Sequence, residues 1–206
     1  MLRKLFQKIR AINFRSGDYW ENRYRRGGNS GAGSYGRLAM FKAHTLNQFV
    51  KENDIQSVIE FGSGDGAQLT HAKYPQYVGI DVSETAIGIT RSKFAQDDSK
   101  AFYTQLPDGT TADLTMSLDV IYHLIEDEVF ERYMTDLFKA SRRFVAIYSS
   151  NQDKRLTAHV RHRRFTDWIS TYWPQAQLLK KVENPFPEDK GDQENTSFAD
   201  FYFYAL

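Results

Sequence analysis

The sequence predicts an α/β three-layer sandwich on a mostly parallel sheet of seven strands, with one antiparallel strand near the C-terminus. Three observations predict it. Short runs rich in Val, Ile, Phe and Tyr alternate with longer segments of helical spacing. The first of these runs, Val58-Ile59-Glu60-Phe61, opens directly into Gly62-Ser63-Gly64-Asp65-Gly66. The next, Tyr77-Val78-Gly79-Ile80, ends on Asp81, fifteen residues after Gly66. Alternation of this kind places helices on the faces of a parallel sheet.

Taken in order, Leu2, Leu5, Phe6, Ile9 and Ile12 recur at helical spacing among basic residues. They suggest an amphipathic helix that either docks on its own domain or lies on an anionic membrane. Residues 17–37 mix glycine with Tyr19, Trp20, Tyr24 and Tyr35, the composition of a mobile, adhesive lid or of a plain linker. Residues 1–37 are therefore set apart as a basic helix and Gly/Tyr-rich lid segment, and 38–206 as the main domain. Leu38, Phe41, Leu46, Phe49 and Val50 define a first packed helix. Strand 57–61, helix 66–73, strand 77–81, helix 84–95, strand 101–105 and strand 113–118 follow. Helix 127–140, strand 143–149 and helix 163–172 come next. Strands 176–183 and 197–205 close the sheet as a hairpin across a loop that holds Pro185 and Pro187.

Bulk properties narrow the class. A chain of 206 residues with 41% hydrophobic and 26% charged residues can bury one ordinary core. It has no Cys, which excludes disulfides and thiolate metal sites and fits a cytoplasmic setting. No apolar run approaches the roughly 18–20 residues that span a bilayer, so any membrane contact is peripheral, through the N-terminal helix. The formal net charge of +1 names no partner, and no RNA-binding module is recognisable. Nucleic acid is not expected.

The glycine segment carries the chemistry. Its order is E-x-G-x-G-x-G rather than the G-x-G-x-x-G of a dinucleotide site. Glu60, just before the loop, would repel a pyrophosphate but suits a ligand bearing an ammonium and a sulfonium. Asp81, at a strand end, is placed to accept from a ribose diol. Glu60, Gly62, Gly64 and Gly66, then Gly79-Ile80-Asp81-Val82-Ser83, then Ser117-Leu118-Asp119-Val120-Ile121-Tyr122-His123-Leu124 occur in this order. In these three motifs the chain resembles the class I S-adenosylmethionine-dependent methyltransferases, and in the glycine-tyrosine segment and Arg161-His162-Arg163-Arg164 it is similar to the small bacterial members that accompany glycan and natural-product biosynthesis.

The resemblance implies a Rossmann-like fold with S-adenosylmethionine as cofactor and S-adenosylhomocysteine as product. It implies that Glu60, Gly62, Ser63, Gly64 and Gly66 hold the methionine end, Asp81 and Val82 the ribose side, and Gln105 and Asp119 the rest of the cofactor. His123 is the first candidate for a general base, with His159 and His162 as alternatives and Tyr122 as an orienting group. The run His159-Val160-Arg161-His162-Arg163-Arg164 reads in two ways, as an anion-binding strip or as a solvated helix start. On the first reading His159, Arg161, Arg163 and Arg164, with Tyr24, Tyr35 and Arg37 of the lid, bind a small anionic acceptor. Asp119 and His123, four apart and near Asp127, would allow a divalent ion, but no third firm ligand completes the set, so no metal is expected. The expected reaction is methylation of an oxygen on a sugar, glycan precursor or similar small acceptor. Two alternatives stand beside it: N-methylation of nucleic acid or protein, against which Ser117-Leu118-Asp119-Val120 lacks the Asn/Asp-Pro-Pro-aromatic signature, and a non-catalytic cofactor-binding scaffold.

Overall fold

The structure, a computed structural model, describes residues 14–155, 157 and 159–206. The basic helix expected over residues 2–12 lies outside the described residues. Helix α1 spans Ser16–Arg25 and α2 spans Gly36–Glu52. Strand β1 (Ser57–Phe61) precedes β2 (Gln76–Ile80), α3 (Glu84–Lys93), β3 (Lys100–Tyr103) and β4 (Ala112–Leu118). Then come α4 (Asp127–Lys139), β5 (Ser141–Ser149), the two-residue strands β6 (Lys154–Arg155) and β7 (Arg161–His162), and α5 (Phe165–Tyr172). Strands β8 (Gln177–Val182) and β9 (Asp200–Ala205) complete the chain.

Seven strands form one sheet in the order β3-β2-β1-β4-β5-β9-β8. The first five run parallel, and β9 lies antiparallel to both of its neighbours. This is the expected three-layer architecture with one reversed strand. β4 is buried along its whole length because it lies between β1 and β5 and both of its faces are covered.

Strand alternation sorts the core into two layers. Val58, Leu114, Met116, Ala146, Phe201 and Phe203 point toward α2, where Leu46, Phe49 and Val50 receive them. Ile59, Val145, Ile147, Tyr202 and Tyr204 point the other way, onto Phe130, Met134, Leu137 and Phe138 of α4 and Phe165 and Ile169 of α5. Strand order reverses between β1 and β4. The carboxyl ends of these central strands therefore open a crevice that neither crossover covers.

Three elements depart from expectation. The helix expected over 66–73 is only a 3₁₀ turn, Gln68–His71. Gly66 sits at φ +68°, outside helical space, and Asp65 Oδ1 accepts from Ala67 N at 3.0 Å, so no α-helix N-terminus points at the glycine loop. The polar segment around Gly17, expected as lid or linker, forms α1. A β6–β7 hairpin interrupts the run between β5 and α5. Among the described residues, no helix is long and apolar enough to cross a membrane.

The sharpest local constraint is at Gly62, where φ is +81° and an added Cβ would lie 2.3 Å from Val120 Cγ2. Gly62→Ala should lower stability by about 2–4 kcal/mol, from left-handed strain plus overpacking. Urea unfolding measures this, and a change below about 0.5 kcal/mol, the scale of a neutral surface substitution, would contradict the packing described.

Candidate active site

A cleft of about 1730 Å³ runs from the carboxyl ends of β1, β2 and β4 to the loop that precedes β4 and the end of α4. Its floor is the glycine loop. Gly62 N and Ser63 N both donate to Ile80 O, at 2.7 and 2.9 Å, which pins the loop to the end of β2. Gly64 N donates to Asp81 Oδ2 and Ser83 N to Asp81 Oδ1, each at 2.9 Å. Asp81 is thus held by backbone on both oxygens and keeps lone pairs for a further donor. Burial raises its carboxyl to about 6, against the lowering effect of those two N–H groups. Val82 stands at the cleft lip, 62% exposed, and Gln105 lines the wall after β3. Ser63 Oγ and Gln68 Oε1 are buried without a protein partner among the described residues, and both residues line the cleft.

Glu60 stands beside the loop, buried, and accepts from Tyr77 Oη at 2.6 Å. Burial pushes its carboxyl up to about 7, opposed by the Tyr77 hydrogen bond and by the charge of Lys42. Lys42, on the inner face of α2, donates to Asp119 Oδ2 at 2.6 Å, and Tyr122 Oη donates to Asp119 Oδ1 at 2.8 Å. Asp119 adopts φ +61°, rare for a non-glycine residue and worth attention at a strand end that faces a cleft. Sequence reasoning missed Lys42. The signal was its spacing: Leu38, Lys42 and Leu46 are four apart and share the buried stripe of α2.

The N-terminal segment lies over the loop. Ser30 N donates to Asp65 Oδ2, Asp65 N donates to Ser30 Oγ, each at 3.0 Å, and Tyr35 Oη donates to Asp65 Oδ2 at 3.1 Å. Burial alone would raise the Asp65 carboxyl, but hydrogen bonds from Ser30, Ala67 and Tyr35 leave it below its ordinary value. Tyr24 Oη bonds Ser30 Oγ at 3.0 Å. An added Cβ at Gly64, where φ is +58°, would meet Ser30 Oγ at 2.3 Å and Tyr24 Oη at 2.9 Å. The close approach at Gly64 is therefore made by the chain's own N-terminal segment. Glu21 of α1, also unforeseen, accepts from Ser83 Oγ at 2.6 Å, Thr85 N at 3.2 Å and Thr85 Oγ1 at 2.6 Å, beside the Asp81 turn. Ser16 N donates to Glu126 Oε1 at 2.9 Å and anchors the helix start to the approach of α4.

His123 lines the same cleft. Its Nδ1 lies 3.0 Å from the His159 carbonyl. A carbonyl only accepts, so the proton is assigned to Nδ1 and Nε2 keeps its lone pair. The Trp20 ring meets it edge-on at 4.9 Å, and the His159 ring lies parallel at 6.2 Å with Tyr19 stacked behind at 5.0 Å. Burial lowers His123 to about 4, only partly opposed by the bond to His159, so the ring is neutral at neutral pH.

The other expected site residues are placed differently. His162 is buried against Tyr122 and Phe198, with Nδ1 bonded to Ser150 Oγ, behind the cleft wall rather than on it. Arg161 donates to Ile125 O at 3.0 Å and pairs with Asp127. Arg163 donates to Leu124 O and Ile125 O, pairs with Asp127 and covers the Phe130 ring at 4.6 Å. Arg164 is exposed near Asp167. Arg37 turns toward Phe186, Asp192 and Asn195 O, away from the cleft. The chain thus engages the guanidinium groups of Arg37, Arg161 and Arg163 with its own acceptors.

No protein-family model matches the chain, and a search of curated proteins found no match. Solved structures do match. Magnesium protoporphyrin IX methyltransferase from Synechocystis, with bound S-adenosylmethionine, is 15% identical and aligns over 93% of this chain and 97% of its own, with a TM-score of 0.66. The N-methyltransferase NodS from Bradyrhizobium japonicum is 16% identical over 82% of this chain and 97% of its own, at 0.62. A bacterial Hen1 methyltransferase domain is 16% identical over 80% and 96%, at 0.61. The fold is the class I fold that these methyltransferases share.

Arg163 here ties the approach of α4 to β7. Arg163→Ala should cost about 1–3 kcal/mol, because two carbonyls and Asp127 lose a charged donor. Thermal or urea unfolding checks this, and undiminished stability would free the arginine for a ligand after all.

Proposed function

We propose that this chain is an S-adenosylmethionine-dependent methyltransferase acting on an oxygen of a small acceptor, such as a sugar or glycan precursor. The observation that carries the reading is Asp81, fixed by Gly64 N and Ser83 N at the cleft edge with acceptor capacity left for a ribose diol. The donor set fits the rest of the cofactor. The carboxylates of Glu60 and Asp119 suit an ammonium and a nearby sulfonium, Val82 offers apolar surface at the lip, and Ser63 Oγ and Gln68 Oε1 wait for partners. When bound, S-adenosylmethionine supplies an electrophilic methyl group that needs alignment more than activation.

The protein's part is then to orient and to take a proton. His123 presents a neutral ring, already held by His159 O, with Nε2 available to accept a proton as an acceptor hydroxyl attacks. Trp20 and Tyr24 line the same cleft, and the N-terminal segment carries them over it and limits water. Since Arg161 and Arg163 are engaged by the chain itself, an acidic group on the acceptor would find its cations on the cleft walls, at Arg15, Arg132 or Lys139. A second reading, N-methylation, is favoured by one observation: His123 is a weak base, and an amine brings its own lone pair.

Calorimetric titration with S-adenosylmethionine, S-adenosylhomocysteine and NAD tests the cofactor. Binding of the first two without NAD is expected, and no binding of either would leave a scaffold. Affinity should also depend on pH. Glu60 and Asp81, raised to about 7 and about 6, take up protons as pH falls, whereas an ammonium and a ribose diol favour their ionised forms. The affinity for S-adenosylmethionine should fall about tenfold or more from pH 7.5 to 5.5. A flat profile would remove these carboxylates from the site. With an acceptor in hand, His123→Ala should keep cofactor affinity and lower kcat by roughly 10²–10⁴. Unchanged kcat would favour the amine reading.

A further inference from the structure

Four basic residues line the cleft: Arg15, Lys42, Arg132 and Lys139. Arg15 precedes α1, and Arg132 and Lys139 stand on α4, so three belong to the outer walls. Lys42 differs. Its side chain is 1% exposed, on the buried face of α2, with Nζ 5.4 Å from the Tyr148 ring centroid. It neighbours Glu60 closely enough for its charge to help ionise that carboxyl.

Its hydrogen bonding is incomplete. An ammonium has three N–H donors. Asp119 Oδ2 accepts one, and no other acceptor among the described residues takes the remaining two. A buried charged donor left unmet costs free energy, so a structure that keeps one at a cleft wall implies an acceptor that arrives with the ligand. Asp119 is meanwhile satisfied from the opposite side by Tyr122. Two carboxylates and one ammonium therefore share one wall, with a formal net charge of −1 once Glu60 is ionised. That charge pattern matches a zwitterion with an adjacent positive centre.

We propose that Lys42 receives the α-carboxylate of the cofactor's amino-acid end, while Glu60 and Asp119 face its ammonium. This assignment rests on the cofactor reading above and deepens it. It makes Lys42 a selector for the whole amino-acid arm, separate from the Asp81 and Val82 contacts that serve the nucleoside.

The test is calorimetric, with three nucleosides: S-adenosylhomocysteine, its decarboxylated analogue and 5′-methylthioadenosine, which lacks the amino-acid arm. The wild-type chain should bind S-adenosylhomocysteine more tightly than the decarboxylated analogue, on the order of 10–100-fold for a charged hydrogen bond. Lys42→Met should close that gap and leave 5′-methylthioadenosine within about threefold of wild type, which is under 1 kcal/mol. Lys42→Arg, which keeps the charge, should restore part of the gap. Equal wild-type affinity for the two arm-bearing ligands would overturn the assignment without any variant, so a poorly folding Lys42→Met still leaves a decisive comparison. A gap that survives in Lys42→Met would overturn it too. Failure of the wild type to bind any of the three would strike the cofactor reading itself, and this inference with it.

Discussion

The left-handed backbone of the glycine loop is the constraint on which the rest of the site depends. Gly62 and Gly64 stand at φ +81° and +58°, and each yields the space of its missing Cβ to a different element. Gly62 receives Val120, which brings the end of β4 against the end of β1. Gly64 receives Ser30 and Tyr24, which brings the N-terminal segment over the loop. The loop is thus a junction as well as a floor. Its geometry also aims Gly64 N at Asp81, so the same turn that admits its neighbours orients the carboxylate at the end of β2.

Electrostatics then divides the cleft. Asp81 and Glu60 sit in a desolvated wall where burial opposes their ionisation, and each is eased by a different means. Asp81 relies on backbone N–H groups and Glu60 on Tyr77 and the charge of Lys42, while Asp119 accepts hydrogen bonds from Lys42 and Tyr122. A cationic ligand completes what these partners begin, which is why a cofactor carrying a sulfonium suits this wall better than a pyrophosphate does. His123 is kept neutral by burial and is held by a carbonyl rather than a carboxylate. Preorganisation of that kind fixes the tautomer and leaves Nε2 with its lone pair for a substrate proton.

Much of this was legible in the sequence, for reasons that are physical. Parallel strands buried on both faces leave continuous apolar runs, so β1, β2, β4 and β5 announce themselves, and so do the glycines and Asp81 at their ends. β9 was readable as well, since the alternation of Phe201 and Phe203 with Tyr202 and Tyr204 serves two faces. What could not be read depends on distant partners. Helix α1 is polar and contains a glycine, and its docking relies on Glu21 meeting Ser83 and Thr85 more than sixty residues away. The Arg161–Arg163 segment has the composition of an anion site, yet Asp127 and the carbonyls of Leu124 and Ile125 claim it once the chain folds back. The expected helix after the glycines fails because Gly66 and Asp65 together end the turn that would start it.

Hydrogen exchange with and without S-adenosylhomocysteine shows whether the N-terminal segment and the glycine loop form one ligand-responsive unit. The ligand should slow exchange together in residues 16–35 and 62–66, with the Gly64 amide, which Asp81 holds, among the most affected. Protection confined to residues 62–66, with the N-terminal segment exchanging as fast as before, would contradict it.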